Sequence, residues 1–155
     1  MAEKTNVMRT LDRLGVPYLE HCYLHTGAVS GVEVAQALGE EPARVFKTLV
    51  TTGKSKKYYV FMIPVAEELN LKKAAAAAGE KAVEMIKAKE LLPLTGYIHG
   101  GCSPIGMKKP FRTFIHESAE GFDAIFFSAG KIGYQVECAL EGLRKAIPVE
   151  SCDLI

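Results

Sequence analysis

Arg44-Val45-Phe46-Lys47-Thr48-Leu49-Val50-Thr51 and Lys57-Tyr58-Tyr59-Val60-Phe61-Met62-Ile63, separated by Thr52-Gly53-Lys54-Ser55-Lys56, decide what kind of domain this chain makes. Both runs are rich in β-branched and aromatic residues, and the basic segment between them carries turn chemistry. The pair therefore reads as a β-hairpin, with Pro64 closing its second strand. Upstream, Val7, Leu11 and Leu14 recur at helical spacing over Thr5 to Leu14, and Gly15 and Pro17 stop that helix. Tyr18 to Leu24 alternates bulky and polar residues like a half-buried strand. Ser30-Gly31-Val32-Glu33 then has the Ser and Glu spacing of a capping box, predicting a helix through Leu38 that ends at Gly39.

Downstream of the hairpin, Asn70 caps a predicted helix over Leu71 to Ala78, with Gly79 as its stop, and Lys87 to Leu92 makes a shorter one. From Pro93 to Pro110 glycine and proline are too frequent for regular structure. Phe111 to Ile115, Ala124 to Ser128 and Tyr134 to Cys138 read as three short strands, and Leu140 to Ala146 as a closing helix. About six or seven strands and some five helices, without strict alternation, predict a mixed α/β domain: one sheet with helices packed around it.

The bulk properties fit a single domain over residues 1–155. The chain is 48% apolar and 24% charged, an ordinary globular balance. Nineteen Lys and Arg against 18 Asp and Glu leave a net charge of +1, so any nucleic-acid contact rests on a local patch rather than on a basic domain. Cys22, Cys102, Cys138 and Cys152 are widely spaced and form no C-x-x-C pair, which points away from a zinc site or a disulfide framework and towards reduced thiols in the cytoplasm. Met1 to Asn6 leads into an amphipathic segment, not an apolar signal core, and no run approaches a membrane span, so neither export nor insertion is expected.

Three segments could carry chemistry. Lys47 interrupts an apolar strand; it is either a strand lysine in water or a cation lining a concave site. Gly100-Gly101-Cys102-Ser103-Pro104-Ile105-Gly106 can bring backbone N–H groups up to a carbonyl or phosphate oxygen, or simply make a tight turn. It lacks the spacing of a nucleotide P-loop. Ser128-Ala129-Gly130-Lys131-Ile132-Gly133 repeats the theme as a hairpin connection. His21, His25, His99 and His116 form no convincing metal-ligand pattern, since His21 and Cys22 face opposite sides of a strand. No Ser-His-Asp order or G-x-S-x-G elbow is present.

Taken in order, Gly15-Val16-Pro17-Tyr18, Tyr23, Val45-Phe46-Lys47-Thr48-Leu49, Leu69-Asn70-Leu71-Lys72-Lys73-Ala74-Ala75, Thr95-Gly96-Tyr97, Gly100 to Gly106 and Ser128 to Lys131 resemble the YbaK/EbsC family, free-standing relatives of the editing domain of bacterial prolyl-tRNA synthetases. The resemblance implies a partly closed mixed sheet surrounded by helices. It also implies removal of a misattached amino acid from tRNA, with Cys-tRNA(Pro) as the substrate of the YbaK branch, and it implies neither cofactor nor metal. Lys47 and Tyr23 would then act in the active site, and Gly100, Gly101, Ser103, Pro104, Ser128 and Gly130 in substrate binding. Prolyl-tRNA synthetase would present the tRNA. Ala129 departs from the glycine expected there. A cysteinyl ester carries its own nucleophile, so a thiol attack giving a thiolactone needs only orientation and oxyanion stabilisation. In that scheme the N–H groups near Gly100 and Gly101 hold the carbonyl, and Lys47 meets the terminal adenosine's phosphate or ester oxygens. Lys54, Lys56, Lys57, Lys108 and Lys109 are the local cations available to RNA phosphates. The rivals are a deacylase for alanine or another small amino acid, and a non-catalytic module that binds tRNA ends or a nucleotide.

Overall fold

The computed structural model describes residues 4–155; the first three residues of the N-terminal segment read above lie outside it. The chain runs α1 (Asn6–Arg13), β1 (Leu19–Cys22), α2 (Gly31–Leu38), β2 (Phe46–Gly53), β3 (Tyr58–Pro64), α3 (Leu71–Ala78), β4 (Val83–Met85), α4 (Ala88–Thr95), β5 (Arg112–His116), β6 (Ile125–Ser128), β7 (Tyr134–Cys138), α5 (Leu140–Ala146) and β8 (Glu150–Cys152). Local chemistry sets most of these boundaries. Thr5 Oγ1 accepts the Met8 N–H at the start of α1, Ser30 and Glu33 close a reciprocal capping box on α2, and Asn70 Oδ1 accepts the N–H groups of Lys72 and Lys73 on α3.

The β2–β3 hairpin is the centre of a five-stranded sheet ordered β4-β2-β3-β5-β8. Its two outer additions on the β3 side, β5 and β8, run parallel to their neighbours, while β2 pairs antiparallel with both β3 and β4. A second, antiparallel sheet has the order β1-β7-β6. One parallel bridge, Val45 to Phe126, joins the two among the described residues. The domain is thus the expected mixed α/β architecture, with eight strands where six or seven were expected. The two added strands, β4 and β8, are three residues each, too short for a period-two pattern to register.

Both faces of the five-stranded sheet are buried. Phe46, Met62 and Ile115 face the main core with Val7, Met8 and Leu11 of α1, Ile125 and Phe127 of β6, and Leu143 of α5. Phe61, Ile63 and Phe114 face the opposite way, under Ala74 and Ala78 of α3 and Leu154 of the tail. The small alanine side chains let α3 lie close on the stacked rings of Phe61 and Phe114, whose centroids are 5.1 Å apart. Phe114→Ala is expected to lower the unfolding free energy by about 3–5 kcal/mol. Urea titration at constant m-value checks this.

Two expectations need correction. Tyr18 to Leu24 is not a half-buried strand: β1 covers four residues, is mostly exposed, and gives way to a 3-10 turn over Leu24–Thr26. It is an edge strand paired on one side alone, so the alternation has no second face to bury. The helix expected to stop at Leu92 continues through Pro93 to Thr95. Thr95 Oγ1 donates to the Leu91 carbonyl and the Gly96 N–H to the Leu92 carbonyl, bonds that complete the last turn around the proline.

Candidate active site

A small cavity of ≈ 180 Å³ opens where the two sheets meet, beside the Val45–Phe126 bridge. It is smaller than the about 300–1,000 Å³ of drug-sized ligand sites, which suits the end of an acyl ester better than a whole nucleotide. One wall is β2 from Val45 to Leu49, and another is the N-terminal turn of α2 with Ser30, Gly31 and Val34. Tyr23, Leu91, His99, Gly100, Cys102, Ser128 and Gln135 complete the lining.

Of the residues singled out from the sequence, Lys47, Tyr23, Gly100 and Ser128 line this cavity. The apolar strand carries Lys47 to the concave side, and its ammonium makes no ion pair with a described residue. Tyr23 is 4% exposed, held by its N–H to Gly133 O and by Thr26 Oγ1 donating to its carbonyl. Gly101, Ser103, Pro104 and Gly130 do not line the cavity; they shape its two loops. Ser103 is fully buried, with Oγ accepting the Ile105 N–H, and Pro104 lines a separate depression.

The two loops interlock. Gly100 has φ +88°, in a turn closed by the Gly101 N–H donating to Ile98 O. Gly101 lies so close to Lys131 and Ile132 that a Cβ there would meet the Ile132 nitrogen at 3.1 Å. Tyr97 pins both loops, its OH donating to Ile105 O at 2.5 Å and its ring lying over Gly130. Burial pushes the Tyr97 phenol up to about 12, so it stays a donor. The Gly101 N–H is engaged in the turn, which withdraws it from the role of carbonyl donor. The N–H groups of Gly100 and Cys102 make no hydrogen bond to a described residue.

The sequence reading passed over several lining residues. Gln135 is 7% exposed, and its Oε1, like Thr48 Oγ1, is buried without a hydrogen-bond partner among the described residues. Such orphaned acceptors are costly, about 1–3 kcal/mol each; two of the three, those of Gln135 and Thr48, belong to residues of the cavity wall, while Ser118 Oγ lies elsewhere. A glutamine between Tyr134 and Val136 in a buried strand is the one signal that pointed there. Ser30 and Gly31 were read as a helix start alone. Among the described lining residues none is Asp or Glu, so the cavity holds one cation, one histidine and no carboxylate.

Of the remaining histidines, His25 is exposed, and the other two serve the scaffold. His21 pairs with Glu137 at 2.9 Å, and His116 accepts the Leu154 N–H through Nδ1, tying down the tail. Among the described residues no three His, Cys, Asp or Glu side chains gather as a metal set, and no helix is long and apolar enough to cross a membrane. Cys102 faces the cavity, but burial pushes its thiol up to about 12, and Cys138 up to about 11. Neither is a thiolate near neutral pH. With iodoacetamide at pH 8, exposed Cys22 is expected to label first while Cys102 and Cys138 stay unmodified, as peptide mass spectrometry would record.

The sequence profile of the aminoacyl-tRNA editing domain matches residues 25–146. EbsC of Enterococcus faecalis, provisionally named a Cys-tRNA(Pro)/Cys-tRNA(Cys) deacylase, is 49% identical over 142 residues, 91% of this chain and 87% of its own length. A proline–tRNA ligase of Thermosipho melanesiensis is 34% identical over 85 residues, 54% of this chain and 15% of the ligase. Two solved structures share the fold at 22% identity. One, provisionally described as a trans-editing enzyme for prolyl-tRNA synthetase, has a TM-score of 0.83 and matches 99% of this chain and 98% of its own. The other, the hypothetical protein APE2540, has a TM-score of 0.87 over 98% and 99%.

Proposed function

The chain belongs to the aminoacyl-tRNA editing domain family, and from that premise we propose that it is a cytoplasmic trans-editing deacylase that frees tRNA(Pro) of misattached cysteine. The observation that carries the chemistry is the composition of the cavity: a single lysine, two orphaned acceptors, and no carboxylate or nucleophile–base pair. Such a site is poorly equipped to activate water, and well equipped to hold an ester whose own side chain attacks.

In the proposed reaction the substrate's Sγ attacks its own carbonyl carbon. The C–S bond closes a four-membered thiolactone, the C–O bond to the ribose breaks, and the thiol proton ends on the departing ribose oxygen. A free thiol with pKa ≈ 8.5 is a few per cent thiolate at pH 7 and intrinsically very nucleophilic. The enzyme then has two tasks. Gly100 and Cys102 offer N–H groups to the carbonyl oxygen as it gains charge, and the ammonium of Lys47 stabilises the ester oxygens or the neighbouring phosphate. The side chains of Gln135 and Thr48 line the pocket around the acyl group and restrict it to the conformer in which sulfur faces carbon. Tyr23 and Ser128 close the sides of the acyl pocket, while Gly101, Ser103, Pro104 and Gly130 hold its loops. Prolyl-tRNA synthetase is the proposed presenter of the tRNA.

The test is release of amino acid from Cys-tRNA(Pro), Ala-tRNA(Pro) and Pro-tRNA(Pro) by the isolated protein. Selective release of cysteine supports the proposal. Faster release of alanine would transfer the activity to a small-amino-acid deacylase, and binding without turnover on any ester would reduce the protein to a tRNA-end binding module.

A further inference from the structure

The chain's single net positive charge is unevenly placed. Lys54, Lys56 and Lys57 are exposed on the β2–β3 turn, Lys81 is exposed just before β4, and Lys87 and Lys89 are exposed at the start of α4. Residues 54–57 and 80–90 together hold these six lysines and three glutamates, Glu80, Glu84 and Glu90. That is a formal charge of +3 in a chain totalling +1, which leaves the remainder at −2. Two of the glutamates are engaged locally. The Glu80 carboxylate accepts from the Ser55 N–H and hydroxyl and from the Tyr59 hydroxyl, and Glu90 accepts the Lys87 N–H at 2.7 Å.

The fold brings these lysines onto one edge. β4 is the outermost strand of its sheet, with Val83 opposite Gly53, and the Lys54 N–H donates to Ala82 O at 3.0 Å, which joins the hairpin tip to the start of β4. The pairing runs one residue past β4, Ile86 N–H to Val50 O at 3.3 Å, and leads through Lys87 and Lys89 to Leu91 in the cavity wall. A shallow groove of ≈ 270 Å³ lined by Thr52, Gly53, Lys54, Lys56, Ala82, Val83 and Glu84 sits at the far end of this edge. The four residue steps from Leu49 in the cavity to Gly53 span about 13 Å of strand, the reach of a few nucleotides. Lys108 is not part of it, since its side chain packs on Gly96 and reaches Pro93 O.

We propose that this edge is the track for the RNA backbone leading to the aminoacylated 3′ end, with Lys54, Lys56, Lys81, Lys87 and Lys89 holding its phosphates. This rests on the deacylase function proposed above. A row of lysines spaced along an edge that ends at the cavity places a polyanion and its terminal ester in register, and the −2 remainder repels the polyanion from other faces. Lysines beside an edge strand also block sheet-to-sheet pairing between molecules; that role alone predicts no change in RNA recognition.

The test compares the K54E/K81E/K89E variant with the wild-type protein on cysteinyl-tRNA(Pro) and on 3′-O-cysteinyl adenosine, which has the ester but no backbone. On the tRNA, kcat/KM is expected to fall on the order of 10- to 100-fold near 0.1 M salt, and its log–log salt slope to flatten by about three. On cysteinyl adenosine it stays unchanged. The charge-neutral K54Q/K81Q/K89Q variant should flatten the slope equally with a smaller fall, and so separates lost contacts from misfolding. An R13E/K72E/K145E control carries the same change in net charge and should keep most of the slope. Unchanged tRNA cleavage, equal losses on the two esters, or an equal effect of the control overturns the proposal. Should the wild-type protein cleave neither ester, the deacylase function fails by itself. Anisotropy of labelled tRNA across the same variants still decides the track.

Discussion

Lys47→Ala is expected to lower kcat/KM on Cys-tRNA(Pro) by about 10²–10³, the loss of one electrostatic donor to a developing oxyanion, about 2.7–4 kcal/mol. The magnitude follows from where the side chain sits. Lys47 lines the cavity without an ion-pair partner among the described residues, and no Asp or Glu lines the walls to divide its field. In a half-buried site such a charge acts more strongly than in open water. The division of the effect between kcat and KM identifies the contact. A fall in kcat with KM unchanged means that the ammonium acts on the reacting ester, whereas a rise in KM with kcat unchanged moves it to the ground-state phosphate. Lys47→Arg is expected to recover little of the loss, since a planar guanidinium with its charge spread over three nitrogens does not place that charge at the ammonium's position. A fall of less than threefold for Lys47→Ala would remove the lysine from the reaction altogether. Circular dichroism of the variant guards against a folding artefact, because Lys47 contributes nothing to the core clusters around β2.

Much of this architecture was legible because local rules and tertiary demands agree. α3 begins at its asparagine cap and ends at Gly79 as its residues dictate, and the β2–β3 hairpin is the centre of the larger sheet. What escaped was non-local. β8 exists because Glu150, Ser151 and Cys152 lie parallel to β5, a pairing about 35 residues distant that no window of three residues announces. The Val45–Phe126 bridge, which makes the corner where the cavity forms, is of the same kind. The site divides likewise. Lys47 and Gly100 could be singled out because a cation in a strand and paired glycines are locally odd. Gln135 and Thr48 are unremarkable in sequence and become informative only when burial strips them of partners. Ser103, Pro104 and Gly130 belong to the same conspicuous motifs as Gly100, yet in three dimensions they hold the loops and leave the cavity wall to others. A motif reports that its loop must keep one shape; which of its residues faces the ligand is settled by the packing around it.

S-methylation of the substrate is the change expected to have the largest effect: cysteinyl-tRNA(Pro) carrying a thioether should not be cleaved above the uncatalysed rate. The cavity supplies no nucleophile paired with a base: the Ser30 and Ser128 hydroxyls in its lining accept the backbone N–H groups of Glu33 and Gly130. Cys102, the one thiol in its lining, is held protonated by burial, which pushes it up to about 12, so near neutral pH its thiolate is far scarcer than that of a free thiol. His99 is the one lining imidazole, and no lining carboxylate orients it. The free-thiol substrate should show a rate that rises about tenfold per pH unit below its own thiol pKa of about 8.5 and levels off above it, because the reactive species is the substrate's thiolate. A water activated by a protein base would not need the substrate's sulfur, and would cleave the S-methyl ester as readily as the thiol. Release of S-methylcysteine at a rate within tenfold of cysteine would therefore leave the protein a deacylase and overturn the substrate-thiol mechanism. Complete protection, with cysteine thiolactone identified by mass spectrometry as the first product from the unmodified substrate, would establish that the protein contributes geometry and charge while the misattached amino acid contributes the nucleophile that removes it.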